Sequence, residues 1–117
     1  MRQDGLRDIA AISAMMRDRD LARVEGIVAQ MRRIEAEAAA IREIRDERLG
    51  RADLDAARLS GADPVWLGWA EERLSRSMAQ LAQLRASHEA ALAAARKSFG
   101  RAEATAALAA GVRRPGG

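Results

Sequence analysis

Apolar residues recur along this chain with the spacing of helices, and nowhere with the alternation of strands. In the first half, Val24, Ile27, Met31, Ile34, Ala38 and Ile41 are separated by three, four, three, four and three residues. That is the 3.5-residue period of a coiled-coil seam. Upstream, Leu6, Ile9, Ile12 and Met16 continue an apolar face, with Asp20 breaking the phase, so one slip of register is expected there. Ile44 and Leu49 imply a second slip. In the second half one position repeats every seven residues: Leu67, Leu74, Leu81, His88, Ala95, Ala102 and Ala109. Met78, Leu84, Ala91, Leu92 and Phe99 lie beside it, so the seam fades from leucine to alanine. No stretch alternates with period two, and β-branched residues are few, so no strand is expected.

Between the two patterns lies Ser60-Gly61-Ala62-Asp63-Pro64-Val65. Gly61 suits a helix end, Asp63 suits an N-cap, and Pro64 suits a first helical position. Helices joined so tightly must fold back on each other. The sequence therefore predicts an all-α fold, a long antiparallel two-helix coiled-coil hairpin. Its first arm runs over about residues 5–59, its turn over 60–63 and its second arm over 64–110, with a disordered tail at 111–117. At about 1.5 Å per residue, arms of about 45 residues give a rod of roughly 70 Å. A turn centred near residues 61–62 would set Leu49 opposite Leu74, Ile41 opposite Leu81 or Ala82, and Met31 opposite Leu92. It would also set Ile27 opposite Ala95 or Arg96, and Val24 opposite Phe99. Gly50 is expected to kink or end the first helix. Gly26 and Gly100 fall at one level, either as a point of close approach or as two flexible points.

Composition thins this picture. Apolar residues make up 49% of the chain, yet 28 of its 117 residues are alanine and three are aromatic. Alanine favours helix but buries little area, which suits a narrow seam rather than a thick core. Charged residues make up 32%, with a net charge of +3. Residues 1–59 balance twelve arginines against twelve acids, while residues 60–117 hold eight basic and five acidic residues. The surplus gathers at Arg96, Lys97, Arg101, Arg113 and Arg114. It reads either as a solvated surface or as a site for an acidic protein or nucleic acid. Many charges fall at the four-residue spacing of intrahelical pairs: Arg33–Glu37, Arg42–Asp46, Glu47–Arg51, Glu72–Arg76 and Arg85–Glu89.

Candidate chemistry is sparse. There is no cysteine, which removes disulfides and thiol chemistry and favours a cytoplasmic setting. Arg7 and Asp8 interrupt the N-terminal apolar residues, so no signal peptide is expected, and no window reaches the roughly 20 apolar residues of a membrane span. His88 is the single histidine, too few for a zinc site, and reads as a half-buried seam residue. No isolated carboxylate pair, phosphate loop or nucleophile motif is present. A thin hairpin also lacks a cavity that could exclude water from a substrate. The reading is of a protein that is not an enzyme and carries no cofactor and no metal. Trp66 and Trp69, three residues apart, share one helix face. Either they cap the hairpin against Leu54, Ala57 and Leu59, or at least one is an exposed anchor for a partner.

Two stretches of the second arm carry a resemblance. Residues 66–81 (WLGWAEERLSRSMAQL) and Arg96-Lys97-Ser98-Phe99 resemble the second helix of the flagellar FliJ family. Leu74, Met78, Gln80 and Phe99 stand at its characteristic positions, and Ala29-Gln30-Met31-Arg32-Arg33 is similar to its first helix. Related stalk proteins of type III secretion systems are similar in the same way. The resemblance implies a soluble, cytoplasmic component of a type III protein export apparatus, shaped like the central stalk of a rotary ATPase. Implied partners are the hexameric export ATPase, the export gate membrane protein and export chaperones, without direct membrane insertion. By position, the gate contact would fall on Leu74, Ser77 and Leu81, with Trp66 and Trp69 nearby. Leu81 stands where the family often has a polar aromatic residue or histidine. Charge placement adds Arg96, Lys97 and Arg101 as the ATPase-ring contact, with Glu25 and Asp18 or Asp20 across the hairpin. Two other classes remain open. One is a homo-oligomeric scaffold, in which self-association into four helices covers Ile9, Ile12 and Met16. The other is a basic helical protein that associates with nucleic acid.

Overall fold

The computed structural model describes residues 2–54 and 62–113. They form two helices, α1 (Arg2–Leu54) and α2 (Ala62–Arg113), paired antiparallel as a coiled-coil hairpin without strands among the described residues. α1 passes through Gly50 without ending. Gly26 and Gly100 serve no close approach, since a methyl group at either would meet nothing within 4 Å. α2 begins at Ala62, ahead of the expected start, so Asp63 and Pro64 lie within its first turn, where proline leaves no needed amide missing. It also runs on through Arg113, so residues 111–113 are helix rather than tail. Residues 55–61, with most of the expected turn, and residues 114–117 lie outside the described residues.

Burial reveals a stricter repeat than the apolar pattern suggested. On α2 a sheltered row runs through 67, 70, 74, 77, 81, 84, 88, 91, 95, 98, 102, 105 and 109, spaced three and four, with Trp66 and Leu92 half-buried beside it. The expected row from Leu67 to Ala109 is therefore inward-facing at every step. The second row is Ala70, Ser77, Leu84, Ala91, Ser98 and Thr105, whereas Met78 and Phe99 are exposed. On α1 the same spacing links 6, 10, 13, 17, 20, 24, 27, 31, 34, 38, 41, 45 and 48. There is no slip at Asp20 or after Ile41. Instead the seam admits Ser13, Arg17, Asp20, Arg45 and Arg48, while Ile9, Ile12, Ile44 and Leu49 point outward.

Contacts divide the chain into a terminal unit (Met1–Val28 with Ala86–Gly117) and a central unit (Ala29–Arg85). In the central unit Ala38, Ile41, Ala70 and Leu74 form a buried cluster against which Trp66 packs. Ile41 thus shares its cluster with Leu74 rather than with Leu81, and Leu49 is exposed. In the terminal unit Asp20 meets Ser98, and Phe99, the expected partner of Val24, is exposed. Pairing is thus displaced by about one heptad from that expected. A displacement of one heptad returns each seam position to a seam position, so the inward face is preserved even though the partners change.

Candidate protein-docking surfaces

The start of α2 separates the two tryptophans. Trp66 flanks the seam and packs on the central cluster, with the Arg48 guanidinium 4.2 Å above its ring. Arg48 occupies a seam position, so its stem lies along the helix pair while its charge sits on the indole face, a cation–π contact. Trp69 is one step further out, tilted 47° to Trp66 with ring centroids 6.1 Å apart, and 51% exposed. Val65 beside it is 73% exposed. One ring therefore closes the hairpin and the other faces solvent. The packing expected against Leu54, Ala57 and Leu59 concerns side chains outside those described.

The remaining residues of the implied gate contact lie elsewhere. Leu74, Ser77 and Leu81 are all buried in the seam. The Ser77 hydroxyl donates to the Arg73 carbonyl at 3.0 Å, which satisfies it within its own helix. A docking role for these three does not follow from their place in the chain, because a contact face must be reachable and they are enclosed between α1 and α2. What surrounds them is charged and cross-linked. Arg73 donates to Glu37 Oε1 through Nε at 2.9 Å and Nη2 at 2.5 Å. Arg45 bridges Asp46 at 3.2 Å and Glu71 at 3.1 Å, and these hydrogen bonds raise its pKa above the ordinary arginine value. Arg42 Nη2 approaches the Met78 sulfur at 3.6 Å. Glu37 and Asp46 are thus engaged by Arg73 and Arg45 rather than by the residues four positions away. Glu47–Arg51 and Glu72–Arg76 do form within their helices.

In the terminal unit Arg96, Lys97 and Arg101 are exposed, and none makes an ion pair among the described residues. Lys97 and Arg101 lie four apart on one side of α2, while Arg96 lies about 100° round the helix from Lys97. Their proposed acidic neighbours behave differently from one another. Glu25 is exposed, Asp18 pairs with the adjacent Arg17 at 3.2 Å, and Asp20 belongs to the seam. Asp20 accepts a short hydrogen bond from the Ser98 hydroxyl, while Arg19 Nη2 stands 3.3 Å from its other oxygen. The Ser98 bond chiefly, helped by Arg19 and Arg23 against the opposing effect of burial, holds the carboxyl below its ordinary pKa. Asp20–Ser98 is a polar clasp across the seam that an apolar reading of the sequence missed. The strict three-and-four spacing through position 20 was the signal that could have found it.

No buried side-chain nitrogen or oxygen among the described residues lacks a partner. No group of three histidines or carboxylates among them could hold a metal ion. His88 sits half-buried in the seam. A shallow apolar recess lies along α2 between Ala104, Ala107, Leu108 and Gly111. No helix among the described residues is long and apolar enough to cross a membrane. What the arrangement offers is surface: an exposed tryptophan at the start of α2, unpaired cations further along it, and outward apolar side chains in the terminal unit. No family model, curated protein or solved structure matches the chain.

Proposed function

We propose that this protein is a non-enzymatic docking component of a type III protein export apparatus, acting in the cytoplasm as a stalk-like hairpin. The observation that carries the reading is the division of labour along α2. Its seam residues are satisfied internally, whereas Trp69, Val65, Arg96, Lys97 and Arg101 remain exposed, with the three cations unpaired among the described residues. The resemblance of residues 66–81 and 96–99 to the FliJ family supplies the partners: the export ATPase hexamer, the export gate and export chaperones. In this reading Trp69, with Val65, is the anchor for the gate, since exposed tryptophan contributes strongly to protein interfaces. Arg96, Lys97 and Arg101 meet acidic groups of the ATPase ring.

The mechanism follows from asymmetry. A two-helix element set in a ring of six equivalent sites contacts each subunit differently. Its binding energy therefore favours one arrangement of open and closed sites over the others, which couples nucleotide turnover to movement or assembly. The test is size exclusion with light scattering on the chain mixed with its cognate export ATPase. Co-elution that is lost on reversing Arg96, Lys97 and Arg101 to glutamate supports the reading. Co-elution that survives the triple reversal rejects those residues as the contact, and failure to co-elute rejects the stalk role.

A further inference from the structure

The outward face of α1 in the terminal unit repeats with the same spacing as its seam. Gly5, Asp8, Ile12, Met15, Arg19 and Ala22 are separated by three, four, three, four and three residues, and all are exposed. At the centre, Ile12 is 57% exposed and Met15 69% exposed. Ile9, 52% exposed, flanks the same stripe. Six positions in heptad spacing with two large apolar residues in the middle form an unpartnered helix seam.

The stripe is complementary to itself. When a second α1 is laid against it antiparallel, with a twofold axis between Ile12 and Met15, each Ile12 meets the second copy's Met15. Each Asp8 then meets the second copy's Arg19, and each Gly5 meets Ala22. Ile9 falls beside the second copy's Met16 on the flank. Asp8 makes no ion pair among the described residues, and Arg19, 70% exposed, spends its fork on a loose contact with Asp20. Asp8 is therefore open to a partner, and Arg19, held by long contacts to the adjacent Asp20, is exposed enough to reach it across a dimer. Shifting the alignment by a full heptad removes the central apolar match and the charge match together. Further out, Arg2 would approach the second copy's Arg23 and Asp4 its Glu25, so the favourable contact ends at Gly5 and Ala22.

We infer that the exposed Gly5–Ala22 stripe of α1 is a dimerisation seam, whose occupant is the same stripe of a second copy in antiparallel orientation. An isologous contact of this kind closes on itself, so the product is a dimer rather than a filament. The inference is independent of any export partner.

Sedimentation equilibrium of the full 12.7 kDa chain at micromolar concentration should return twice the monomer mass. The paired substitution Ile12→Glu with Met15→Glu should return the monomer mass while circular dichroism stays helical, because both side chains are outside the intramolecular seam. Charge reversal makes the test specific. Asp8→Arg alone and Arg19→Asp alone should each weaken the dimer about tenfold or more, since each spoils two symmetry-related pairs. The double variant Asp8→Arg with Arg19→Asp should restore it. A wild-type chain that remains monomeric overturns the inference. So does a dimer indifferent to Ile12→Glu with Met15→Glu, or a charge swap that fails to restore association. None of these readouts involves the ATPase, so failure here leaves the export reading standing, and failure there leaves this one.

Discussion

The central and terminal units use one heptad spacing and fill its buried face with side chains of different size. In the central unit large side chains fill the buried face, with Ile41, Leu74 and Leu81 buried and Trp66 closing the cluster, although Ile44, Leu49, Val65, Trp69 and Met78 stay exposed. Around it, Arg45–Glu71, Arg73–Glu37 and Arg48 over Trp66 join α1 to α2. In the terminal unit the buried positions are Val24, Ala91, Ser98, Ala102 and Ala109, mostly small, and the bulk points outward as Ile9, Ile12, Met15, Phe99 and Leu108. Spacing alone sets which face is sheltered, and side-chain volume then sets what that face is worth. A seam of alanine and serine gains little from the hydrophobic effect. A unit built that way leaves much of its apolar surface exposed.

The comparison breaks most visibly at Leu74. Its truncation in Leu74→Ala removes a buried side chain from the central cluster and should cost about 2–3 kcal/mol, at the low end of the usual range because a two-helix seam can partly collapse. Leu108→Ala in the terminal unit, at a residue 59% exposed, should cost no more than about 0.5 kcal/mol. Urea unfolding of the two variants decides. Equal losses would mean that the two units do not differ in how they use bulk.

The tryptophans sharpen the contrast within the central unit itself. Trp66→Ala loses packing on the cluster and the Arg48 contact, an expected loss of about 2 kcal/mol. Trp69→Ala loses mainly a tilted ring contact and should cost about 0.5 kcal/mol. Binding to an export partner should respond in the reverse order, with Trp69→Ala the more damaging. A Trp69→Ala variant as unstable as Trp66→Ala would place both rings in the fold and remove the proposed anchor.

The same contrast explains what could be read from the sequence. The α2 seam was legible because leucine and alanine mark it at every seventh position, and one apolar row suffices to define a face. The α1 seam was legible only where it is apolar, from Val24 to Ile41. Elsewhere the helix puts Arg17, Asp20, Arg45 and Arg48 inward and Ile9, Ile12, Ile44 and Leu49 outward. A rule that sorts residues by hydrophobicity then reports slips of register that do not exist. Long arginine stems lie along a narrow seam with their charged ends in water or on a partner group, so a thin helix pair tolerates them. Asp63 and Pro64 are local signals of a helix start, yet α2 already begins at Ala62, with proline inside its first turn. Leu74, Ser77 and Leu81, onto which the resemblance put the gate contact, are buried between the helices, and the seven-residue row already sets Leu74 and Leu81 on the seam.

Glycine offers a smaller test of the outward face. Gly26 lies on α1 and Gly100 on α2 within the terminal unit, both exposed in mid-helix with open space where a methyl group would go. Gly26→Ala and Gly100→Ala should each stabilise the chain by about 0.5–1 kcal/mol, by lowering the backbone entropy lost on folding. Thermal or urea unfolding reads the gain. A loss at either position would reveal a close approach by another chain at that point, and for Gly26 it would extend the dimer contact beyond Ala22.

The smallest effect concerns the shape of the pH profile rather than its height. Asp20 has a folded-state pKa below the ordinary 3.8, held there first by the Ser98 hydroxyl. A carboxyl whose pKa is depressed by folding contributes stability that is fully present above the unfolded value, and loses it as pH falls through the folded value. Its contribution should therefore be constant from neutrality down to about pH 4 and decline below that. Asp20→Asn keeps the shape and a hydrogen-bonding partner for Ser98 but cannot titrate, so its stability should fall less steeply on acidification than that of the wild type. Ser98→Ala, which removes the main cause of the shift, should flatten the same part of the curve while leaving the carboxyl in place. Urea midpoints measured in steps from about pH 5 down through the acid range give the comparison. Two variants that change the acid limb alike would locate its origin in the Asp20–Ser98 clasp, the one hydrogen bond across the seam seen among the described residues of the terminal unit. An acid limb unaltered in both would place the acid sensitivity elsewhere and leave the clasp as geometry without energetic consequence.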